Sequence, residues 1–482
     1  MIHFKAIGKI MGALLFLLGS FMLAAAAISW YYQEDSSQIL ISAAISLFIG
    51  LALFFFFSKQ DQLVRKREGY MIVTLSWLLM TIFGMIPFVL SDQVMSVPDA
   101  FFETISGLTT TGATVLTDIE AMPKGLLFWR SMTQWIGGLG IIVLTVAIFP
   151  LLGIGGIELF VAESPGPTSD KVHPRISETA KRLWYIYVGM TIVCALLYWA
   201  GGMTLFDAVN HSFATVATGG FSTKNSSLAF FDSAFIEYVA IVFMFLAGVN
   251  FTLLYFGLVG QFKRILRNDE FKTYASVMLL ISVAVAIPIY MHSSSDLELS
   301  FRKSAFQVVS VITTTGFITD DYTQYGTGVS FTFFMLLFLG GCAGSTSGGI
   351  KFVRHTVFLK NSWLEFKRIV HPRAIVPLII NGERVTGRII NNIMNFLLIY
   401  LLTFVVGAMI MSMLGYDLAT SLGSVATCLG NVGPEIGMAG PIANFSFFSP
   451  AAKIVLAVIM LFGRLELFTI LILFTPFFWR YN

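Results

Sequence analysis

The chain of 482 residues is 56% hydrophobic and only 12% charged, with a formal net charge of +3. This composition excludes a soluble globular domain, because so much apolar surface could not be buried in water. We predict no nucleic-acid partner, and the net charge by itself is uninformative.

Apolar runs of about 20 residues recur and are long enough to cross the hydrocarbon core as helices. They include 12–31, 39–57, 70–90 and 389–414. Because spanning backbone must satisfy its own hydrogen bonds, we expect an all-α polytopic membrane protein. The first run, preceded by Lys5 and Lys9, resembles a signal peptide. It is longer than a signal core, so we expect a retained first helix.

Basic residues cluster in alternate connections between the apolar runs. Most of the 30 Lys and Arg residues lie near the termini or around 59–67, 171–182, 263–272, 351–373 and 384–388. By the positive-inside rule this side is cytoplasmic, and both termini lie there. The three cysteines and six histidines lack metal or haem spacing, and no Walker or Rossmann motif is present. The chain is therefore expected to bind no cofactor of its own.

Four segments between the basic connections share one plan: an apolar span, a semi-polar stretch, a glycine loop and a second span. Each glycine lies 13 residues after the residue that directly precedes the semi-polar stretch. The pairs are Asp99 and Gly112, Asp207 and Gly220, Lys303 and Gly316, and Thr420 and Gly433. Repetition at intervals of about 100 residues indicates internal repeats.

The semi-polar stretches are about half as long as a membrane span. At 100–108, 208–216, 304–312 and 421–429 they predict helices of roughly 15–18 Å. Asp99, Asp207 and Asp417 near their starts suit N-caps. A half-span helix before a polar loop must re-enter the membrane, since irregular backbone at that depth survives only beside a wet cavity. The alternative is that these stretches are interfacial helices in ordinary outer loops. A single repeat would favour that alternative, but four repeats in register favour re-entrant half-helices.

The loops 109–113, 217–221, 313–317 and 430–434 place small and polar residues around each glycine. Inward-facing carbonyls can replace the hydration shell of an alkali cation, and glycine permits the backbone geometry. Four loops can close a ring about a pseudo-fourfold axis, and the negative end of each half-helix then favours a cation. The repeat therefore predicts a cation pore.

A second candidate region interrupts the second span of the third repeat. Its small residues are Gly340, Gly341, Gly344, Ser345, Thr346, Ser347, Gly348 and Gly349. Such a run cannot form a stiff helix, since each glycine costs about 1 kcal/mol. We expect a loop beside the pore that acts as a gate, with close helix packing through small residues as the alternative. Lys351 is either a snorkelling lysine or a charge that tunes this gate.

Arg464 lies about ten residues inside an apolar span, where an ionised side chain costs at least ~2.5–3.5 kcal/mol and normally faces a cavity or a partner. It either raises a barrier to cations in the pore or pairs with a carboxylate elsewhere. Glu466 lies on another helix face and is a poor direct partner. Glu103 and His211, at matching places on the first two half-helices, are expected to brace the loops.

The four single-glycine loops, the stretch 130–140 (RSMTQWIGGLG) and 463–466 resemble the potassium transporter superfamily that includes the bacterial Trk and Ktr membrane subunits, most closely the TrkH type. The resemblance covers nearly the whole chain. It implies two N-terminal transmembrane helices followed by four pseudo-fourfold helix–pore loop–helix repeats, as in potassium channels. The corresponding divisions are 1–68, 69–160, 161–262, 263–375 and 376–482.

The resemblance implies potassium uptake across the bacterial inner membrane, with the ion as substrate. Potassium would meet the filter residues Thr110, Thr111, Gly112, Thr218, Gly219, Gly220, Thr314, Thr315, Gly316, Asn431, Val432 and Gly433. It further implies an intramembrane gating loop in the third repeat, and a homodimer in membrane lipid. A TrkA-type ring of nucleotide-binding regulatory subunits would dock on 163–181 or 361–373.

Two other classes of protein compete with this interpretation. A sodium- or proton-coupled symporter would need paired broken helices and buried coupling carboxylates, and the sequence indicates only one broken helix. An intramembrane enzyme would need a catalytic dyad or haem histidines within the spans, and none is evident.

Overall fold

The computed structural model describes residues 4–57, 66–91, 96–138, 140, 176–293, 296–434, 436–438, 440 and 442–480. Within these ranges the protein is mainly α-helical, with one two-stranded antiparallel hairpin. Among the described residues, six helices are long and apolar enough to cross a membrane, or eight if each of two bent helix pairs is counted as one span. The expected all-α polytopic architecture is confirmed.

The elements up to the second repeat are α1 (Phe4–Tyr31), α2 (Ser37–Phe56), α3 (Lys66–Gly84), α4 (Ile86–Val89), α5 (Val97–Leu108), α6 (Lys124–Gly138), α7 (Ile176–Ala200), α8 (Leu205–Val216), α9 (Ala234–Ala247), α10 (Phe251–Leu258) and α11 (Phe262–Arg267). The remaining elements are α12 (Asp269–Ser293), α13 (Leu297–Ile312), α14 (Thr327–Leu336), α15 (Phe352–Val370), β1 (Ile379–Ile380), β2 (Glu383–Arg384), α16 (Gly387–Met413), α17 (Leu418–Gly430), α18 (Pro450–Arg464), α19 (Phe468–Leu471) and α20 (Pro476–Trp479). Short 3-10 turns lie at Ser227–Phe231, Tyr322–Tyr325 and Ile472–Phe474.

The two leading helices pack closely because glycine lies at their crossing. A Cβ atom on Gly12 would come within 2.6 Å of the Phe54 nitrogen, and one on Gly50 within 2.6 Å of the Phe16 nitrogen. Small residues allow the two backbones to approach this closely. Such packing stabilises the helix pair because the hydrophobic effect contributes little to helix association in lipid. The first apolar run is thus a packed helix, α1, against α2 and α3.

The four half-helices are α5, α8, α13 and α17, and each ends within one residue of the predicted position. Their starts lie earlier than predicted, by three residues in α5, α8 and α17 and by seven in α13, because other residues cap them. Ser96 and Thr204 are the N-caps where Asp99 and Asp207 were expected, and the hydroxyl of each cap donates to that aspartate. Asp417 is an N-cap, as predicted, and Asp296 caps α13.

The second helices are broken in more places than the sequence indicated. The chain bends by 108° between α9 and α10 and by 105° between α18 and the turn of helix that follows it. Residues 337–351, between α14 and α15, are also non-helical. The expectation of a single broken helix was therefore wrong, and breaks occur in the second, third and fourth repeats.

Candidate ion pathway

The four glycine loops share one backbone conformation. In each loop the residue two positions before the glycine has a positive φ: Thr110 at 53°, Thr218 at 54°, Thr314 at 57° and Asn431 at 55°. The glycines themselves lie at 80°, 77°, 77° and 100°, and each intervening residue has a negative φ. Alternation in the sign of φ lets successive carbonyls face the same way, which is the arrangement that a carbonyl filter needs.

Each half-helix ends in a Schellman motif, which sets this conformation. The closing bonds run from Thr111 N to Ser106 O (2.8 Å), Gly219 N to Ala214 O (2.8 Å), Thr315 N to Ser310 O (2.8 Å) and Val432 N to Thr427 O (3.0 Å). The left-handed residue in such a motif is usually glycine. Here it is threonine or asparagine, all fully buried. Each loop therefore has a side-chain oxygen at its left-handed residue, although a residue other than glycine is strained in that conformation.

The four loops contact one another in cyclic order. A Cβ atom on Gly112 would lie 2.2 Å from the Gly219 carbonyl oxygen, and one on Gly220 would lie 2.0 Å from that of Thr315. The series closes with Gly316 beside Val432 (2.0 Å) and Gly433 beside Thr111 (2.7 Å). Each glycine thus faces the carbonyl that precedes the glycine of the next loop. We call these carbonyls, of Thr111, Gly219, Thr315 and Val432, the carbonyl ring.

Polar side chains on the half-helices hold the segment that leaves the ring. Glu103 accepts hydrogen bonds from the Thr114 hydroxyl and the Val115 amide, both at 2.9 Å. His211, at the matching position of α8, lies 2.8 Å from the Ser222 hydroxyl. Both residues contact their loops in the way the sequence suggested.

A buried ion pair joins the first two loops. The Arg130 Nε atom lies 2.6 Å from Glu103 Oε1, and its Nη1 atom donates to the Ser222 carbonyl at 2.9 Å. The guanidinium also lies over the Phe221 ring at 3.5 Å. On the next turn of α6, the Gln134 amide donates to the Gly219 carbonyl and accepts from the Phe221 nitrogen. The sequence marked this stretch only by its resemblance, not by these contacts.

Replacing Glu103 by alanine should destabilise the protein by about 3–5 kcal/mol, because it leaves the Arg130 charge buried without a counter-charge. The thermal unfolding midpoint of the purified protein in detergent measures this effect. Glu120→Ala is the matched control: its carboxylate lies 3.5 Å from Lys224 in a partly exposed pair, which is worth about 0–1 kcal/mol. Equal midpoints for the two variants would contradict the prediction.

The glycines of all four loops line one cavity of about 230 Å³, which we call the vestibule. Its polar wall includes Lys224, Asn225 and Asp320. The Asn225 amide donates to Asp118 at 3.0 Å, and this hydrogen bond holds the pKa of Asp118 below its usual value. The negative charge of Asp118, next to a lining residue of the vestibule, favours the approach of cations.

Residues 337–351 lie against the other end of the loops; we call this segment the intramembrane loop. The Gly348 amide donates to the Thr314 hydroxyl at 2.7 Å, and Thr346 donates to the Val216 carbonyl at 3.1 Å. A Cβ atom on Gly348 would lie 2.7 Å from the Gly430 oxygen. The segment is thus a loop beside the four glycine loops, and helix packing through small residues does not describe it.

Arg464 joins three parts of the chain beneath the filter loops. Its guanidinium donates to the Thr346 carbonyl at 2.8 Å and to the Gly137 and Gly138 carbonyls at 2.6 and 3.0 Å. Glu466 is not its partner in these contacts and instead binds Arg354, in keeping with the expectation that it would be a poor one.

Lys351 lies immediately after the small residues of the intramembrane loop. It is only 8% exposed, and its ammonium group donates to the Ser347 carbonyl. The lysine therefore binds the loop instead of snorkelling to the membrane surface.

Of the two predicted docking segments, only the second lies entirely within the described residues. Residues 163–175 of the first lie outside the described residues. The second, 361–373, forms the end of α15 and the turn after it, where Trp363, Phe366 and Arg373 are exposed. The exposed face leaves this segment accessible to another molecule.

Comparison with known proteins identifies relatives over the whole chain. The model of the TrkH family, described as a cation transport protein, matches residues 35–288 and 289–481. The Trk system potassium uptake protein TrkH of Escherichia coli K12 is 40% identical, over 99% of this chain and all of that protein. TrkG of the same strain is 35% identical, over 99% of both chains.

A solved structure agrees with these sequence relatives. The crystal structure of the potassium transporter TrkH from Vibrio parahaemolyticus superposes with a TM-score of 0.90 at 38% identity, covering 99% of this chain and 100% of that one. These relatives are named as transporters, not as enzymes.

Proposed function

This chain belongs to the TrkH family of cation transport proteins, and we propose that it takes up potassium through a gated, channel-like pore between its four loops. The observation that carries the proposal is the cyclic contact of each filter glycine with a carbonyl of the next loop. Four loops that touch in this order surround one axis, and their carbonyls are the ligands that replace the water of an alkali cation.

Potassium is the proposed ion because the relatives are named for its uptake. The ring carbonyls of Thr111, Gly219, Thr315 and Val432 would bind it, with the carbonyls of the preceding residues and the four glycines completing the filter. The loops lack the longer TVGYG pattern of potassium channels, and their contents differ from one repeat to the next. A filter with fewer ion sites and weaker discrimination against sodium would follow.

The intramembrane loop is the proposed gate. Gly348 and Thr346 contact Thr314 and Thr218 of two of the filter loops, and a segment in that position would be able to block an ion that leaves the filter. Arg464 ties the loop to the end of α6 and places a positive charge there. The other small residues from Gly340 to Gly349 would let the loop move. Lys351 attaches the loop at one point, through its hydrogen bond to the Ser347 carbonyl.

The proposed organisation follows the repeats. The divisions 1–68, 69–160, 161–262, 263–375 and 376–482 separate the leading helix pair from the four repeats. The chain would assemble as a homodimer in the bacterial inner membrane with both termini in the cytoplasm, as its basic connections suggest. A TrkA-type ring of nucleotide-binding subunits would dock on that side, where Trp363 and Phe366 are exposed.

A symporter is the second candidate, because three broken spans are the feature expected of ion-coupled transporters. Uptake of radioactive rubidium into liposomes containing the purified protein separates the two. We expect uptake down the rubidium gradient alone, unchanged when a sodium or proton gradient is imposed. Uptake that requires the gradient of a second ion would contradict the channel-like pore. Liposomes without protein provide the background.

A further inference from the structure

One carboxylate binds both the intramembrane loop and the start of α15. Glu270 Oε1 accepts a hydrogen bond from the Ala343 amide at 2.7 Å and another from the Val353 amide at 3.0 Å. The residue is 5% exposed. Buried amides are costly to leave unpaired, so one acceptor oxygen that serves two of them stabilises this contact. Neither resemblance nor spacing drew attention to this glutamate.

The loop has a closed neck at the place where Glu270 binds. Gly340 N donates to the Ile350 carbonyl and Phe352 N to the Gly341 carbonyl, both at 3.0 Å. The Ala343 and Val353 amides thus lie just beyond this neck, one on each arm of the chain. A single acceptor that bridges the two arms opposes their separation.

Contacts at the start of α12 hold Glu270 in place. It is the second residue of α12, and its neighbour Asp269 binds the Lys360 ammonium group at 2.9 Å. Asn381, in the turn between β1 and β2, accepts a hydrogen bond from the Asp269 amide at 2.7 Å. The start of α12 is therefore bound to α15 and to the hairpin, and these contacts hold Glu270 in position.

We propose that Glu270 is the positioning residue that keeps the intramembrane loop closed beneath the filter. This inference rests on the proposed function, which makes that loop the gate. Removing the carboxylate leaves the Ala343 and Val353 amides without their acceptor, so the two arms of the neck can separate. Glu270→Gln retains an acceptor oxygen at the same place and should keep the loop closed.

The natural cysteines report on the loop directly. Cys342 lies in the loop, Cys194 in α7 and Cys428 in α17, and all three are fully buried. We expect maleimide to label Cys342 about tenfold faster in Glu270→Ala than in the natural protein, as the loss of two buried hydrogen bonds implies. Labelling rates come from mass spectrometry of cysteine peptides of the protein in liposomes. Cys194 and Cys428 should keep their slow rates.

Glu270→Gln is the matched control, because it removes the same negative charge from the neighbourhood of the Cys342 thiol. Its Cys342 rate should stay close to that of the natural protein. The inference is overturned if Cys342 labels no faster in Glu270→Ala, if both variants label equally fast, or if all three cysteines accelerate together. Rubidium uptake by the same liposomes tests the gate separately. Faster Cys342 labelling without faster uptake would support the role of Glu270 and overturn the assignment of the loop as the gate.

Discussion

Serine in place of Gly316 should reduce rubidium uptake at least about tenfold or abolish the preference for potassium over sodium. Gly316 has a φ of 77°, and a Cβ atom there would lie 2.0 Å from the Val432 carbonyl oxygen. A non-glycine residue in such a conformation costs about 1–3 kcal/mol, which the protein can relieve only by moving the neighbouring loop. Any such movement displaces a carbonyl of the ring.

Gly328→Ser is the matched control for this prediction. Gly328 lies in α14 of the same repeat, has no positive φ, and has nothing within 4 Å of the Cβ position. Its serine variant should transport as the natural protein does. Uptake and ion preference unaltered in Gly316→Ser would contradict the assignment of the four loops as a filter.

Alanine in place of Arg464 should increase rubidium uptake by the protein alone, without a regulatory subunit, by roughly tenfold or more. The change removes a positive charge beneath the filter loops and the hydrogen bonds to Thr346, Gly137 and Gly138. Such charged hydrogen bonds are each worth about 1.5–3 kcal/mol. The liposome assay with purified protein measures the increase.

Arg464→Lys separates the two contributions of this residue. It keeps the charge but lacks the planar fork that reaches several carbonyls. If the hydrogen bonds hold the gate, the lysine variant should resemble alanine; if the charge dominates, it should resemble the natural protein. Arg384→Ala, which removes an exposed charge from β2, serves as the control. Uptake by Arg464→Ala at or below the natural rate would contradict the proposed role.

The sequence predicted the half-helices well because their ends are marked by local chemistry. A polar run before a glycine at a fixed distance placed the ends of α5, α8, α13 and α17 within a residue. The starts were less accurate, since Ser96 and Thr204 cap their helices three residues before the aspartates that were expected there, and Asp296 caps α13 seven residues before Lys303. The repeats predicted a ring of four loops, whereas the order in which the loops touch is seen only in the folded structure.

The broken helices could not be predicted in the same way. In the fourth repeat the break after α18 puts Glu466 and Leu467 at φ values of 53° and 54°. Neither residue type favours the left-handed region, so neither of them indicates the bend in the sequence. The contacts of the proposed gate are also long-range: Arg464 binds residues far away in the chain, and Glu270 contacts the loop from another helix. Only the folded structure brings these groups together.

The most direct test of the central claim is to locate rubidium in crystals of the protein by its anomalous scattering. The account predicts a rubidium peak on the pseudo-fourfold axis, surrounded by the carbonyl oxygens of Thr111, Gly219, Thr315 and Val432. The peak should weaken when sodium replaces rubidium and should be lost in crystals of Gly316→Ser. Rubidium bound elsewhere, with none inside the carbonyl ring, would contradict a filter formed by the four loops.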